Sequence, residues 1–174
     1  MKALSLWQPW ASAVATGAKR IETRSWSTAH RGPLAIHAAQ HRHSRKDAHW
    51  LLRAPFWHGA LSSYVQPLDF DAIPYGAIVA VCNLIDCVRT EDVQDLDRER
   101  LPDLPPPRKF AWAWTERQMG DFSPGRFAWL LEDVRMLEQP VPFRAFQRLF
   151  NVPDDLGHSI AMIPFRSGRS RPAP

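Results

Sequence analysis

The stretch GAIVAVCNLIDCV, residues 76–88, is the longest apolar β-rich run in the chain, and it restricts the fold more than any other segment. Aliphatic and β-branched side chains follow one another with only Asn83 and Asp86 interrupting, the pattern of a central strand covered on both faces. Such a strand needs neighbours on both edges. Residues 3–6 (ALSL), 20–26, 33–38 (PLAIHA), 126–137 (RFAWLLEDVRML) and 157–165 (GHSIAMIPF) read as strands that supply them. A short helix is expected over 10–16, between Pro9 and Gly17, and another over 44–53, opening on the capping-box-like Ser44-Arg-Lys-Asp47 and ending before Pro55. The proline-punctuated residues 55–75 and the charged, proline-rich residues 90–109 read as irregular connections, and FAWAW at 110–114 is aromatic at alternate positions. Strands outnumber helices and no regular helical crossover joins them. The expected class is therefore α+β, a mixed β-barrel with a few short flanking helices rather than a doubly wound sheet.

At 174 residues the chain is expected to form one domain over residues 1–166, with the basic, proline-containing residues 167–174 as a disordered tail. Apolar residues make up 45% and charged residues 23%, an ordinary globular balance. No apolar run reaches the roughly 18 residues needed to span a bilayer, so no membrane partner is expected. Gln8 and Pro9 interrupt the first apolar stretch, which makes it a poor secretion signal and a cytoplasmic protein the expectation. Cys82 and Cys87, five apart on one strand, should face opposite sides and read as small buried apolar residues.

The net charge is +4, and only four of the 22 cations are lysines. Guanidinium forks suit phosphates and base edges, and eight tryptophans add stacking surface, so arginine and tryptophan together point towards nucleic acid. A composition bias favouring arginine over lysine would produce the same counts. The segment GAKRIETRSW (17–26) sharpens the question. On an extended strand Arg20, Glu22, Arg24 and Trp26 share a face, while Ile21, Thr23 and Ser25 take the other. A carboxylate between cations holds them in fixed directions, as a phosphate or a base edge requires. An exposed, self-neutralising strand face is the plain alternative.

Four segments together carry a resemblance: LSLWQPWASAVATG, GAKRIETRSW, RGPLAIHAA and FAWLLEDVRMLEQPVPFR, with the pattern G-x-K-x-x-E-x-R at Gly17, Lys19, Glu22 and Arg24. The chain resembles the activating-signal-cointegrator homology (ASCH) domain of the PUA-like β-barrel superfamily. That resemblance implies a small barrel with a helix-flanked cleft and an RNA- or nucleotide-related role. Some relatives are hydrolases that remove an acyl group from N4-acetylcytidine, others are ribonucleases, and others only bind nucleic acid. In the deacylating relatives a lysine and a threonine on this strand act together. Lys19 matches the lysine, whereas Glu22 occupies the threonine's place and Thr23 is expected to face away.

The first function expected is therefore binding of RNA, single-stranded nucleic acid or a nucleotide in a basic cleft. Lys19, Arg24, Arg42, Arg45 and Lys46 would meet phosphate there, and Glu22 would orient Arg24. Trp7 could stack on a base and Gln8 read its edge, or both could plug the junction between the first strand and helix. His37, ending the PLAIHA strand, is either a donor to phosphate or base, or a structural histidine. The alternative is a metal-independent hydrolase in which Glu22 activates water and Lys19 stabilises the oxyanion. The histidines of 37–49 lack accompanying thiols or paired carboxylates at metal-site spacing, so no metal and no cofactor is expected.

Overall fold

The apolar run forms β4 (Ala77–Arg89), an inner strand of a six-stranded mixed sheet in the computed structural model, which describes residues 1–44, 51, 54–61, 71–93, 116–162 and 164. β4 pairs antiparallel with β3 (Gly32–Ala38) on one edge and with β5 (Phe127–Pro142) on the other. Beyond β3 lies β1 (Lys2–Leu6), parallel to it, then the short antiparallel β6 (Leu149–Asn151). Beyond β5 lies β2 (Ile21–Arg24). The sheet curls into a half-barrel. Although three strands separate β2 from β1 in the hydrogen-bonding order, Arg24 Nη2 donates to the Ser5 carbonyl at 3.0 Å across the opening.

Alternation along the strands sorts the core into two layers. Leu4, Leu34, Ile36, Trp129 and Leu131 pack inside the curl, while Ala3, Ala35, Ile78 and Phe150 pack on the outer face. Helix α1 (Trp10–Ala15) closes the inner layer with Ala11, Val14 and Ala15. It ends at Gly17, whose φ of +76° favours glycine. The strand expected at 126–137 runs on to Pro142. Register shifts against β4 bend it, one of them beside Asp133, which sits at φ 49° and accepts from Asn83 Nδ2 at 3.0 Å.

Three expectations are corrected. Residues 157–165 were expected as a strand, but helix α3 (Asp154–Met162) stands there. Asp154 and Asp155 in its first turn favour the helix dipole, and Ile160 joins the outer layer with Leu156 packed beside it, an i, i+4 pair. The sheet edge is taken instead by β6. Within the expected irregular stretch 55–75, helix α2 (Pro55–Leu61) forms, since proline is tolerated in a first turn. Its Trp57, Ala60 and Leu61 pack on Ala13 of α1 and on Met119. Cys82 and Cys87 do not face opposite sides. A register shift between Leu84 and Asp86 puts an extra residue, Ile85, into β4, so both cysteines pack against the inner layer. Outside the described residues lie 45–50 and 52–53 of the expected second helix, the FAWAW segment and the tail 167–174. No helix among the described residues is long and apolar enough to cross a membrane.

Burial pushes the Cys82 thiol up to about 12, whereas Cys87 is only half-buried. Iodoacetamide at pH 8 is expected to label Cys87 slowly in the native protein and to leave Cys82 unmodified until denaturant is added. Peptide mapping of the alkylated protein checks this, and rapid native labelling of Cys82 would show that the inner layer is open.

Candidate functional site

The cationic turn before β2 folds inward. Lys19 is fully buried, one of the largest side chains to be so. Its Nζ donates to the Ile21 carbonyl and lies 3.6 Å from Glu22 Oε2 and 3.7 Å from Glu116 Oε1. Glu116 lies on a helical turn that includes residues 116–118. Its carboxylate also accepts from the backbone N–H of Arg20 (2.9 Å to Oε2) and of Ile21 (2.7 Å to Oε1). Burial pushes the Glu116 carboxyl above its ordinary range, against the pull of Lys19 and the two amides, and the Glu22 charge adds to the rise. On the other side of Lys19, Glu22 Oε1 lies 3.3 Å from Arg24 Nε. One continuous chain of charges therefore runs from Glu116 through Lys19 and Glu22 to Arg24 and ends on the Ser5 carbonyl.

Its outer end forms the floor of a cleft of about 950 Å³. Glu22, Arg24 and Trp26 from the β2 segment line it together, as the shared strand face predicted. Leu4 to Leu6 of β1 form the wall across the opening, with Trp7 and Trp10 at the entry to α1. Two turns complete it, one at 118–121 and one at 145–148. Trp7 and Phe146 are 55% and 59% exposed on the rim, Trp7 packing against the His41 ring (centres 4.6 Å apart) and the His43 ring (5.7 Å), and Phe146 edge-on against Phe150 (5.9 Å). Trp26 stacks edge-on against the buried Trp129, ring centres 4.7 Å apart, and carries the Arg148 guanidinium 5.8 Å from its own centre. Thr23, expected to face away, also contributes to the lining. The turn at 118–121 packs on it, Asp121 N–H donating to Thr23 Oγ1 at 3.0 Å. A Cβ at Gly120 would meet the Phe122 ring at 2.8 Å, so a larger residue there would require that ring to shift.

The expected site residues part company here. Arg24, Glu22 and Trp7 converge on the cleft, whereas Lys19 lies behind it, held by two carboxylates, with no surface for a phosphate or an oxyanion. Gln8 is fully buried. Its Nε2 donates to the Pro74 carbonyl at 2.6 Å and its Oε1 accepts from the Ser12 N–H at 3.1 Å, which anchors the start of α1. His37 is buried beside a neighbouring hollow, accepting at Nδ1 from Ser5 Oγ (3.0 Å) and donating from Nε2 to the Phe143 carbonyl (2.8 Å). Ser5 thus takes Arg24 on its carbonyl and His37 on its hydroxyl. Arg42 pairs with Asp71 at 2.9 Å and covers the Tyr75 ring, away from the cleft floor. Arg45 and Lys46 lie outside the described residues. Among the described lining residues the cations Arg24 and Arg148 are balanced by Glu22 and Asp121, so the cleft is aromatic and charge-balanced where a basic one was expected. Glu116, Phe146 and Arg148 were not singled out from the sequence. Glu116 lies about 95 residues from the amides it holds, and no local pattern marks it. Among the described residues no group of His, Cys, Asp or Glu could hold a metal ion.

The ASCH domain model matches residues 4–141. Activating signal cointegrator 1 from Mus musculus is 37% identical over 101 residues, which is 58% of this chain and 16% of that protein. The same-named protein from Homo sapiens is 35% identical over the same shares. The chain thus spans about a sixth of the length of these relatives. The crystal structure of ASCH from Zymomonas mobilis superposes with a TM-score of 0.50 over 94% of this chain and 95% of that one, at 14% identity, a likeness of fold alone.

Two outcomes follow from the geometry. Glu116→Ala leaves Lys19 one carboxylate short and two backbone amides without their acceptor, and is expected to cost about 3–5 kcal/mol in urea denaturation. Glu116→Gln, which keeps an acceptor, should cost less. For His37, burial holds the imidazole neutral and moves its pKa below the ordinary 6.5, with only partial compensation from the Phe143 carbonyl. The unfolded chain takes up this proton near 6.5 and the folded chain only at lower pH. Its contribution to stability is therefore full above about pH 6.5 and lost progressively below it. Denaturation series from pH 7.5 to 5 should show a steeper loss for wild type than for His37→Gln, and parallel curves would refute this.

Proposed function

Since the chain belongs to the ASCH domain family, we propose that it binds RNA, or a nucleotide from it, in the aromatic cleft between β1 and β2. The observation that carries this reading is the pairing of exposed aromatic side chains on the rim with a fixed guanidinium. Trp7 and Phe146 keep more than half of their surface exposed on the rim, ring area on which unpaired bases would stack, with His41 packed against Trp7 from one side. Between them Arg24 is oriented from two sides, by Glu22 and by the Ser5 carbonyl, before any ligand arrives. That removes part of the entropy cost of ordering a long cation on binding. A volume of about 950 Å³ suits one nucleotide with part of the next. Arg24 and Arg148 meet phosphate or base, and Arg42, Arg45 and Lys46 add further phosphate contacts. Lys19 acts indirectly, by holding Glu22 in place. A binding role is preferred to hydrolysis because the lysine that would steady an oxyanion is buried between two carboxylates.

Titration of tryptophan fluorescence with a short single-stranded RNA tests the proposal. Trp7→Ala is expected to weaken binding by about 1–3 kcal/mol. A phosphate met by Arg148 gives a log–log salt slope of about −0.7, and each further phosphate contact, whether from Arg24 or from the 42–46 segment, adds about −0.7. A dissociation constant indifferent to salt and to Trp7→Ala combined with Arg24→Ala would overturn it.

A further inference from the structure

The cleft floor carries an acceptor beside a donor, and both are preset. Glu22 is nearly buried, with Lys19 at 3.6 Å behind one oxygen and Arg24 Nε at 3.3 Å from the other. A carboxylate held between two cations faces the cleft as an acceptor of hydrogen bonds. Arg24 spends Nη2 on the Ser5 carbonyl, and among the described residues no acceptor takes its Nη1 donors. Both side chains line the cleft from one strand face. A ligand edge that satisfies this pair must offer an N–H to Glu22 and, next to it, a lone pair to Arg24. It must not set an oxygen lone pair against the carboxylate.

We infer that the cleft selects nucleobases bearing an exocyclic amino group, with Glu22 accepting from the amine and Arg24 donating to the adjacent ring nitrogen or carbonyl oxygen. The inference rests on the nucleotide-binding reading above and adds the choice of base to it. Cytosine offers its N4 amine beside N3, adenine its N6 amine beside N1, and guanine its N1–H and N2 amine beside O6. Uracil has a single ring N–H flanked on both sides by carbonyl oxygens. Either carboxylate oxygen that approaches that N–H meets one of those lone pairs at close range. The carboxylate thus discriminates by repulsion as well as by attraction.

The wild-type chain suffices for the test. Tryptophan fluorescence is titrated with CMP, AMP, GMP, UMP and N4,N4-dimethyl-CMP at one fixed salt concentration. CMP, AMP and GMP are expected to bind about tenfold or more tightly than UMP, the scale of a good paired contact to a base edge. Dimethylation, which removes both amine donors and leaves the phosphate and ring in place, is expected to bring CMP down to the level of UMP. Glu22→Gln, with its fold checked by circular dichroism, should narrow the gap between CMP and UMP, because an amide offers a donor as well as an acceptor. Equal binding of UMP and CMP, or unchanged binding of the dimethylated nucleotide, overturns base selection while leaving nucleotide binding intact. Absence of binding by all five and by single-stranded RNA overturns both.

Discussion

A lysine ammonium held between two carboxylates is the constraint on which the rest of this structure depends. Taking Lys19, Glu22 and Glu116 out of water is expensive, and the arrangement persists because each charge faces an opposite one and the remaining oxygens accept backbone amides. Glu116 does two tasks with one carboxylate. It neutralises Lys19, and it receives the amides of Arg20 and Ile21 at the start of a four-residue strand. A strand that short, paired among the described residues with β5 alone, would otherwise have little to hold its first residues in place.

The consequences pass outward along the same chain of charges. With Glu22 fixed from behind, Arg24 is fixed in front of it, and its guanidinium reaches the Ser5 carbonyl on the opposite side of the curl. Ser5 is itself held through its hydroxyl by His37. One polar line therefore joins β2, β1 and β3, and it crosses the place where the sheet opens. The cleft is the space left on the open side of that line. Its floor is charged and held in place because the network behind it is buried, and its rim is aromatic because the β1–α1 junction and the 145–148 turn leave Trp7 and Phe146 more than half exposed.

Much of the sheet was legible because strand burial leaves a direct trace in side-chain pattern. The runs at 76–88, 126–137 and 33–38 alternate or stay apolar over enough residues to specify strands. Where the reading failed, a local signal was overruled by a tertiary one. The GHSIAMIPF segment has strand-like composition, yet Leu156 and Ile160 needed one helical face to meet the outer layer. The bulge at Ile85 turned Cys87 towards the same layer as Cys82, and no residue type announces a bulge of that kind. At the site, the shared face of Glu22, Arg24 and Trp26 followed from period-two alternation alone. Gln8 and His37 could not be assigned in the same way. Whether an amide or imidazole meets a ligand or the backbone depends on what the fold brings to it, here the Pro74 and Phe143 carbonyls.

By itself the sequence determined the apolar strands, the short first helix between Pro9 and Gly17, and the placing of a carboxylate between two cations on one strand face. These are properties of near neighbours, and near neighbours are what a linear pattern records. Only the tertiary structure decided that Lys19 turns inward and that Glu116 meets it. It also decided that the cleft is charge-balanced and aromatic instead of basic. The physical reason is burial: an exposed lysine answers to solvent, whereas a buried one must find its counter-charge wherever the fold delivers it, in this chain 97 residues further on (116 − 19).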